Sequence, residues 1–593
     1  MAKDLASEAG IALGVKTRET ILRSLIVGVL IGALMGFVDS YGYAVTGYTV
    51  AEIDLVVVPI IARLLLGSRA EPQEIFLASV AAFGVSFSTV ITSGMVITFF
   101  LTSNIYKIFY RADDFPQWLY SDVASCLPNI FMCQWPYTYI ALAALSLTGV
   151  GFAYMFRHIF LDKLNLPYPI GIASALMSQI VSTVRANRII LLSLFAGILL
   201  QLSFLILPAG SIDLTPIFTE RGLGMLVTLS MDVIILLIAL IIPPRISGSI
   251  GSGSIITSLF LLPLGASLAL YPVRPGASSE ELLNASSWYL ASLVFGSVIP
   301  LLLVILKSIR APLGYLVRTI NESTRSLSLM ILLFMGLLGL LILAYLRSGS
   351  PGLWFIFFGL ILVLIIIPLL IIITSWGAGE AGTVSQAFYP ASTVYMYVAG
   401  FRGFAPYVYM DHYLGVPMPS ALSAASLQIL RGSRILGVSP LTALTIFSLS
   451  YLVGSLITIY YGAFLISIYG NDPSKMPLDR WIPYTIWSLT IYRGELDPWQ
   501  TLPGAAVGVV TATMLLLANR FLGQALSPIP FVIGLTLPSD LGMLFILGSF
   551  IRWFVSRFGA VAEKQFVMIV SSALAGAGIA VVIYTFGSIS GFF

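Results

Sequence analysis

Two acidic residues lie in stretches that are otherwise apolar or rich in glycine. Asp232 lies in the apolar segment 226–242, and Glu380 lies in the glycine-rich break at residues 377–382. Charged groups in apolar surroundings are costly and usually mark ion pathways. A carboxylate in a dry pocket also tends to bind a proton, so it could carry one. Glu380 and Asp232 are therefore our candidates for proton coupling. For Glu380, the alternative is an ion pair with an arginine on a neighbouring helix.

A further pair of acids precedes an apolar run near the start of the chain. Glu52 and Asp54 come just before a Val/Ile-rich stretch that contains Arg63. The simplest interpretation places both carboxylates at the boundary between apolar and aqueous surroundings. The alternative is a functional site, in which Arg63 acts either as the counter-ion of the two acids or as a ligand contact.

Proline and glycine interrupt three of the apolar segments, near residues 166–171, 377–382 and 528–540. Because these residues break helices, the freed backbone groups within a membrane must face protein or a water-filled cavity. Paired interruptions also point to the binding site of a transporter. The candidate substrate-binding residues are Pro167, Pro169, Gly171, Gly377, Gly379, Gly382, Gly534, Pro538, Asp540 and Arg245.

Arg245 belongs to a run of serine and glycine, residues 243–254, that precedes an apolar helix. Free backbone N–H groups at the start of a helix, together with the arginine, could hold an anion such as a substrate carboxylate. The simpler interpretation is a flexible turn whose small residues pack closely.

The sequence lacks the residue patterns of common membrane enzymes. It has two histidines, and it has no HExxH pattern, no phosphate-binding loop and no nucleophile elbow in a strand–turn–helix context. Asp113 and Asp114, with Asp122 nearby, form an acidic cluster that a divalent ion could use, so a metal-dependent membrane enzyme stays a minor alternative. We expect a protein that is not an enzyme, with no cofactor and no bound metal.

The amino-acid composition indicates which kind of secondary structure holds these candidate residues. Of the 593 residues, 58% are hydrophobic and only 9% are charged, and the mean hydropathy is +0.99. A soluble domain has about 25% charged residues, so soluble and disordered classes are excluded. Continuous apolar runs such as residues 353–374 predict helices, because strands of a membrane barrel would alternate. The net charge of +4 comes without a basic run, so nucleic acid is not an expected partner.

The apolar runs predict an all-α polytopic membrane protein with about 16 transmembrane or half-spanning helices. Two short motifs each occur twice at nearly the same spacing: Phe-Leu followed by Pro-x-Pro, at residues 160–169 and 521–530, and Gly-Ser-Arg, at residues 67–69 and 432–434. They favour a duplicated chain, although Pro-x-Pro is common at membrane boundaries. We predict two pseudo-symmetric halves, residues 1–326 and 327–593, with broken helices near the midplane.

Loop charges indicate an orientation. Basic loops favour the cytoplasmic side, which places loops 185–188, 307–325, 431–434 and 552–564 inside and loop 104–136 outside. The outer loop contains Cys126 and Cys133, which either form a disulfide or remain two thiols. The broken segments leave open the side on which the C-terminus lies.

Three motifs carry a resemblance to a known family. Residues 166–173 (LPYPIGIA), residues 427–432 (LQILRG) and residues 530–538 (PFVIGLTLP) resemble segments of the oligopeptide transporter superfamily, which includes the yellow-stripe-like transporters. The order of the motifs and the length of the chain are similar to those of its members. The resemblance implies a sixteen-helix carrier with two-fold pseudo-symmetry that imports small peptides or peptide-like metal chelates together with protons.

We therefore predict a secondary active transporter in the cell membrane, a proton-coupled symporter whose solute binds between the two halves. One rival is a carrier of an amphipathic or lipid-linked solute, which the apolar residues near the broken helices permit. The other is a membrane-embedded enzyme that uses Asp113 and Asp114 with a metal ion. The expected partners are membrane lipid, a peptide or small-molecule substrate and protons. Formation of a homo-oligomer stays open.

Overall fold

Helices make up 83% of the computed structural model. It describes residues 15–46, 54–67, 69–110, 115–121, 126, 129–182, 188–206, 212–229, 232–322, 324–349, 351–382, 386–416, 418–470, 478–521 and 526–590. The helices are α1 (Val15–Thr46), α2 (Asp54–Leu66), α3 (Pro72–Phe87), α4 (Ser93–Tyr110), α5 (Trp135–Ser146), α6 (Thr148–His158), α7 (Pro169–Ser182), α8 (Arg188–Ile206), α9 (Thr215–Thr219), α10 (Val233–Ile241), α11 (Pro244–Ile256), α12 (Leu262–Ser267), α13 (Ser279–Glu322), α14 (Thr324–Arg347), α15 (Leu353–Ile361), α16 (Ile367–Ala381), α17 (Pro390–Val398), α18 (Phe404–Met410), α19 (Pro419–Leu436), α20 (Pro440–Tyr469), α21 (Leu478–Arg493), α22 (Thr501–Phe521), α23 (Pro528–Gly534), α24 (Ser539–Ser556) and α25 (Ala560–Ser590). The strands β1 (Ile212–Asp213) and β2 (Thr228–Leu229) form a small antiparallel hairpin.

Eleven helical stretches within the described residues are long and apolar enough to cross a membrane. The prediction of an all-α polytopic membrane protein is therefore confirmed. Interrupted segments form shorter helices, such as α10 with 9 residues and α23 with 7 residues, because proline and glycine end them early. The number of about 16 included such half-spanning segments and stays a prediction, as does the division of the chain at residue 326.

Helices from the early and late parts of the chain pack against each other. α8 packs along α25, α13 along α22, α7 against α19, and α11 against α23 and α24. One large cluster of buried apolar side chains runs through both parts. Because no spanning helix gains from the hydrophobic effect against lipid tails, close packing of this kind must hold the bundle together.

The serine- and glycine-rich run forms helix α11, so the interpretation as a flexible turn is wrong. Pro244 occupies the first position of the helix, where proline is well tolerated. The serine hydroxyls bond back to the helix itself, as when Ser249 Oγ donates to the carbonyl of Arg245 at 2.6 Å. The polar side chains thereby bond within the helix and leave its glycine positions free for close packing.

The apolar segment 226–242 predicts one long helix with Asp232 inside it, and this prediction is wrong. The helix begins after it, and the Asp232 carboxylate accepts a hydrogen bond from Ile235 N at 2.9 Å as the N-cap of α10. Short polar side chains are strongly preferred at this position because they satisfy the first free N–H groups of a helix.

The loop before α5 contains a disulfide between Cys126 and Cys133, whose Cα atoms are 5.9 Å apart. Of the two alternatives left open by the sequence, the structure has the disulfide. Nearby, Asn129 caps the short helical turn that follows it by accepting from Phe131 N at 3.2 Å.

The β1–β2 hairpin is joined to the start of α13 by Asp213. Its carboxylate accepts hydrogen bonds from Thr215 N at 2.9 Å and from Ser279 N at 2.8 Å. Partial burial raises the pKa of Asp213, but the hydrogen bonds from Ser279 and Thr215 outweigh it and leave the pKa below its ordinary value.

A buried loop between α18 and α19 is organised by the carboxylate of Asp411. Its oxygens accept from Ser392 Oγ, from Thr393 Oγ1 at 2.7 Å and from the backbone N–H groups of Tyr413 and Leu414 at 3.3 and 3.2 Å. Burial raises the pKa of Asp411, and these donors oppose the rise. The carboxylate therefore has a structural role, because it closes the loop on α17.

His412, the next residue, is also fully buried. Its Nδ1 lies 2.8 Å from Ser420 Oγ, and its ring meets Tyr389 edge to face. Burial lowers the pKa of His412 to about 3, because a charged imidazole has no solvation at this position.

Acidification should destabilise the protein through His412. The imidazole has a pKa of about 6.5 when unfolded. Between that value and the folded value, the unfolded state takes up a proton that the folded state does not. At about pH 5 this difference costs about 2 kcal/mol of folding free energy. We expect the midpoint of thermal unfolding in detergent to fall from about pH 7 to about pH 5, and to fall less in His412→Gln. An equal fall in both proteins would show that another group titrates.

Candidate functional site

The side-chain amide of Gln428 on α19 joins two of the interrupted segments. Gly171 N at the start of α7 donates to Gln428 Oε1 at 2.9 Å. In turn, Gln428 Nε2 donates to the carbonyls of Ala378 and Gly382, at the end of α16, at 3.1 and 2.8 Å. One amide therefore satisfies free backbone groups of a helix start and of a helix end, which is required where no water is present.

Tyr168 makes the second connection between these segments. Its backbone N–H donates to the carbonyl of Gly379 at 2.9 Å, and its hydroxyl donates to the carbonyl of Ser375 at 3.0 Å. Gly382 ends α16 with φ +88°, and a Cβ there would lie 3.3 Å from the ring of Pro169. The predicted binding residues of segments 166–171 and 377–382 are therefore in contact with each other.

Two of the predicted binding glycines lie in helix crossings. A Cβ on Gly171 would lie 2.1 Å from the carbonyl oxygen of Gln428, and one on Gly534 would lie 2.0 Å from that of Ile250. Both glycines permit a close approach of two backbones, which supports packing directly. Gly377 faces α23, where a Cβ would lie 3.1 Å from Ile533. Contact of these glycines with a substrate stays a prediction.

Glu380 lies in the last turn of α16, between the two crossings. Each of its carboxylate oxygens accepts from Ser527 Oγ, at 3.1 and 3.0 Å, and Ser527 is the residue that precedes α23. Arg245 is close enough for its positive charge to act on Glu380, while its own Nη2 donates to the carbonyl of Leu526 at 3.4 Å. The ion pairs among the described residues do not include Glu380.

Asp232, Pro538 and Asp540 form a separate group at the other end of α10, α11 and α24. The charges of Asp232 and Asp540 interact, and Ser254 Oγ donates to the carbonyl of Pro538 at 2.8 Å. The length of α11, about 20 Å at about 1.5 Å per residue, separates this group from Glu380. The predicted proton-coupling residues Glu380 and Asp232 therefore do not share one site.

A cavity of about 350 Å³ lies between α7, the corner from α10 to α11, α24 and α25. This volume is at the small end of the range of about 300–1,000 Å³ for ligand sites. The wall is mostly apolar and consists of Pro167, Pro169, Ile172, Leu176, Ile241, Pro243, Arg552, Glu563 and Val567. Two predicted binding residues, Pro167 and Pro169, thus face a cavity, whereas the predicted glycines do not line it.

The charges in the cavity wall belong to one ion pair. Arg552 Nη2 lies 2.8 Å from Glu563 Oε1, and the arginine side chain is 8% exposed against 36% for the glutamate. Arg552 Nη1 also donates to the carbonyl of Leu240 at 3.0 Å and to that of Ile241, the last residues of α10. The arginine is held in place by this helix end, and the glutamate is the more accessible partner.

Three residues that the sequence analysis does not single out stand out in the structure: Gln428, Ser527 and Asp39. Gln428 is an amide in a helix of small and apolar residues, and Ser527 precedes a proline that starts a helix. Asp39 lies within an apolar part of α1 and is 4% exposed. Like Asp232, Asp39 is an acid among apolar residues. The same sequence pattern could therefore have identified it.

The acidic residues of the enzyme alternative, Asp113, Asp114 and Asp122, lie outside the described residues, as does Glu52. Across the part of the chain that the structure describes, no group of three or more His, Cys, Asp and Glu side chains could hold a metal ion. Arg63 lies near the end of α2, remote from Asp54 at its start, so it is not the counter-ion of that acid.

Comparison with known protein families identifies a match over most of the chain. A family model described as OPT oligopeptide transporter protein matches residues 121–587, which is more than three quarters of the chain. No curated protein shows a significant match. The matched range includes the two crossings, Glu380 and the cavity wall.

A methyl group at Gly171 should destabilise the protein, because it would overlap the backbone of α19. Overpacking of this kind costs about 1–3 kcal/mol. We expect Gly171→Ala to lower the midpoint of thermal unfolding in detergent. Gly42→Ala in α1 is the matched control, since a Cβ there meets nothing within 4 Å. Equal midpoints for the two variants would contradict a close crossing.

Proposed function

Because the chain belongs to the OPT oligopeptide transporter family, we propose that it carries small peptides or peptide-like metal chelates into the cell together with protons. Membership makes it a multi-pass membrane transporter of oligopeptides or related solutes. The coupling to protons, the substrate class and the cell membrane as its location are the proposal.

The position of Glu380 is the observation that carries the proton coupling. Its carboxylate accepts hydrogen bonds from Ser527, the residue before α23, and interacts electrostatically with Arg245. Glu380 therefore connects the end of α16 to the crossing of α11 and α23. Hydrogen bonds to an ionised carboxylate are about twice as strong as neutral ones. Protonation of Glu380 therefore weakens this tie and frees α16 to move relative to α23.

The cavity supports a zwitterionic, peptide-like solute. Arg552 and Glu563 offer one positive and one negative charge in a wall that is otherwise apolar. A peptide has a carboxylate and an ammonium group. Its carboxylate can therefore pair with Arg552, and its ammonium group can pair with Glu563. Since the volume is about 350 Å³, the present state would hold only a small solute.

Replacement of Glu380 by glutamine should separate accumulation from exchange. Glutamine keeps the shape of the side chain and its ability to accept from Ser527, but it cannot release a proton at physiological pH. In proteoliposomes we expect Glu380→Gln to lose accumulation of a labelled dipeptide driven by a pH gradient, by at least about tenfold, while exchange of dipeptide across the membrane continues.

Glu220→Gln is the matched control, because Glu220 is an exposed glutamate next to α9. It should accumulate dipeptide as the unchanged protein does. If Glu380→Gln accumulates dipeptide as well as this control, Glu380 has no part in coupling.

A carrier of amphipathic solutes is the second candidate, favoured by the apolar wall that Ile172, Leu176 and Val567 contribute to the cavity. Competition distinguishes the two. Unlabelled di- and tripeptides should reduce uptake of the labelled dipeptide, and a short-chain lysophospholipid at matched concentration should not. Inhibition by the lysophospholipid alone would favour the second candidate.

A further inference from the structure

We propose that Arg431 and Arg434, in the last two turns of α19, bind the phosphate group of an anionic membrane lipid. Arg431 Nε is buried and has no hydrogen-bond partner, and the ion pairs among the described residues do not include this arginine. A buried arginine nitrogen normally has an acceptor. The missing partner is therefore an anion that the chain does not supply. The wall of the solute cavity contains neither arginine, so this site is a separate one.

The acid beside Arg431 is already occupied by other partners. Asp162 lies in the π-helical turn Ile159–Lys163 that follows α6, and its charge acts on Arg431. Its Oδ1 pairs with Arg434 Nη1, and its Oδ2 lies 2.7 Å from His158 Nδ1. Both carboxylate oxygens therefore have a partner other than Arg431.

The other helices that pack on α19 supply no counter-ion within the described part of the chain. α7 and α20 contain no charged residue. On α16, Glu380 accepts from Ser527. At the start of α3, Glu71 and Glu74 belong to none of the described ion pairs. Two arginines thus share the single carboxylate of Asp162, which leaves one positive charge uncompensated.

Two neighbouring guanidinium groups favour a phosphate as the ligand. Arg431 and Arg434 are three residues apart in a helix, so they lie on the same face, and the positive charge of Arg434 acts on Arg431. A guanidinium group has a planar fork of N–H donors that matches two phosphate oxygens. A phosphate between the two side chains would supply the acceptors that Arg431 lacks and would neutralise the excess charge.

The surroundings favour a lipid as the source of this phosphate. Ile435, four residues after Arg431 and on the same face of α19, is exposed, and so is Leu441 at the start of α20. Exposed apolar side chains beside a basic pair suit a molecule that has both a phosphate and acyl chains. The basic residues at 431–434 also predict that this end of α19 faces the cytoplasm, where the leaflet contains the anionic lipids.

A bound headgroup would act on the junction of the interrupted segments through α19. Gln428, three residues before Arg431, holds the start of α7 and the end of α16. The helix ends at Leu436, whose carbonyl accepts from Gln73 Nε2 of α3 at 3.2 Å. A lipid on Arg431 would stabilise this end of α19 and with it the position of Gln428. Its effect on transport rests on the proposed function, whereas the binding does not.

Thermal unfolding of the full chain, freed of lipid in a neutral detergent, tests the binding. Dihexanoyl phosphatidylglycerol should raise the midpoint, because a ligand that binds only the folded state stabilises it. Dihexanoyl phosphatidylcholine, whose choline cancels the phosphate charge, and inorganic phosphate should raise it less at the same concentration. In Arg431→Gln the apparent dissociation constant for phosphatidylglycerol should rise by at least about tenfold, which corresponds to one lost hydrogen bond to a charged group.

Arg274→Gln is the matched control, because Arg274 is an exposed arginine in the segment before α13. It should respond to phosphatidylglycerol as the unchanged protein does. The same dissociation constant in Arg431→Gln and in Arg274→Gln would overturn the site. A response of the unchanged protein to inorganic phosphate that equals its response to phosphatidylglycerol would overturn the lipid as the source of the phosphate.

The same measurement without lipid distinguishes a ligand contact from a structural one. Since Arg431 has no acceptor among the described residues, Arg431→Gln should unfold at the same midpoint as Arg274→Gln or at a higher one. A lower midpoint would contradict the proposal, because it would show that a contact within the chain holds the arginine. Arg431→Lys keeps the charge but loses the fork, so it should fold and bind phosphatidylglycerol with an intermediate affinity. An affinity equal to that of the unchanged protein would rule out recognition through the fork.

Reconstitution tests the effect on transport. Uptake of a labelled dipeptide should increase when phosphatidylglycerol is added to phosphatidylcholine liposomes, and Arg431→Gln should lose this increase while Arg274→Gln keeps it. The same increase in both variants would show that the bound lipid has no effect on transport. If the unchanged protein takes up no dipeptide in either membrane, the proposed function fails, and the unfolding measurement still decides whether the site exists.

Discussion

The structure depends on one constraint, which is that every peptide group within the membrane must find its partner inside the protein. Interrupted helices release such groups, and here the side chain of Gln428 receives them. Its amide accepts from Gly171 N and donates to two carbonyls at the end of α16. An unsatisfied group in lipid costs several kcal/mol. The breaks near residues 166–171 and 377–382 are therefore tolerable only because α19 brings this amide between them.

The same constraint explains where charge is placed. Arg552 satisfies the last carbonyls of α10 and pairs with Glu563, while Glu380 binds Ser527 at the start of α23. Each of these ionic groups sits at a helix end. An ionised carboxylate binds the donors at a helix end strongly. When it takes up a proton it becomes a weaker acceptor, and the helix end can then move. The ionic groups that stabilise the helix ends are thus also the groups whose protonation can change how the helices pack.

The helical class could be predicted from the sequence because long apolar runs have only one way to satisfy their backbone. The breaks are visible as proline and glycine, and the structure brings segment 377–382 into contact with both of the other two segments. For the serine- and glycine-rich run, the sequence favours a flexible turn with close packing of small residues, and only the turn is wrong. Serine hydroxyls that bond within α11 and glycines that accept a neighbouring backbone make it a packed helix. Gln428 and Gly171 are in contact although they are 257 residues apart in the sequence. Tertiary packing determines such a contact, and no local sequence pattern indicates it.

The most direct test of the central claim is charge movement in proteoliposomes across an acid-outside pH gradient when a pool of short peptides is added. The account predicts an inward current that requires both the peptides and the gradient, because protons enter with a solute that fits the cavity. A protein that stays folded and gives no current with any peptide of the pool would contradict proton-coupled peptide transport. The fold and its helix crossings would be unaffected by that result.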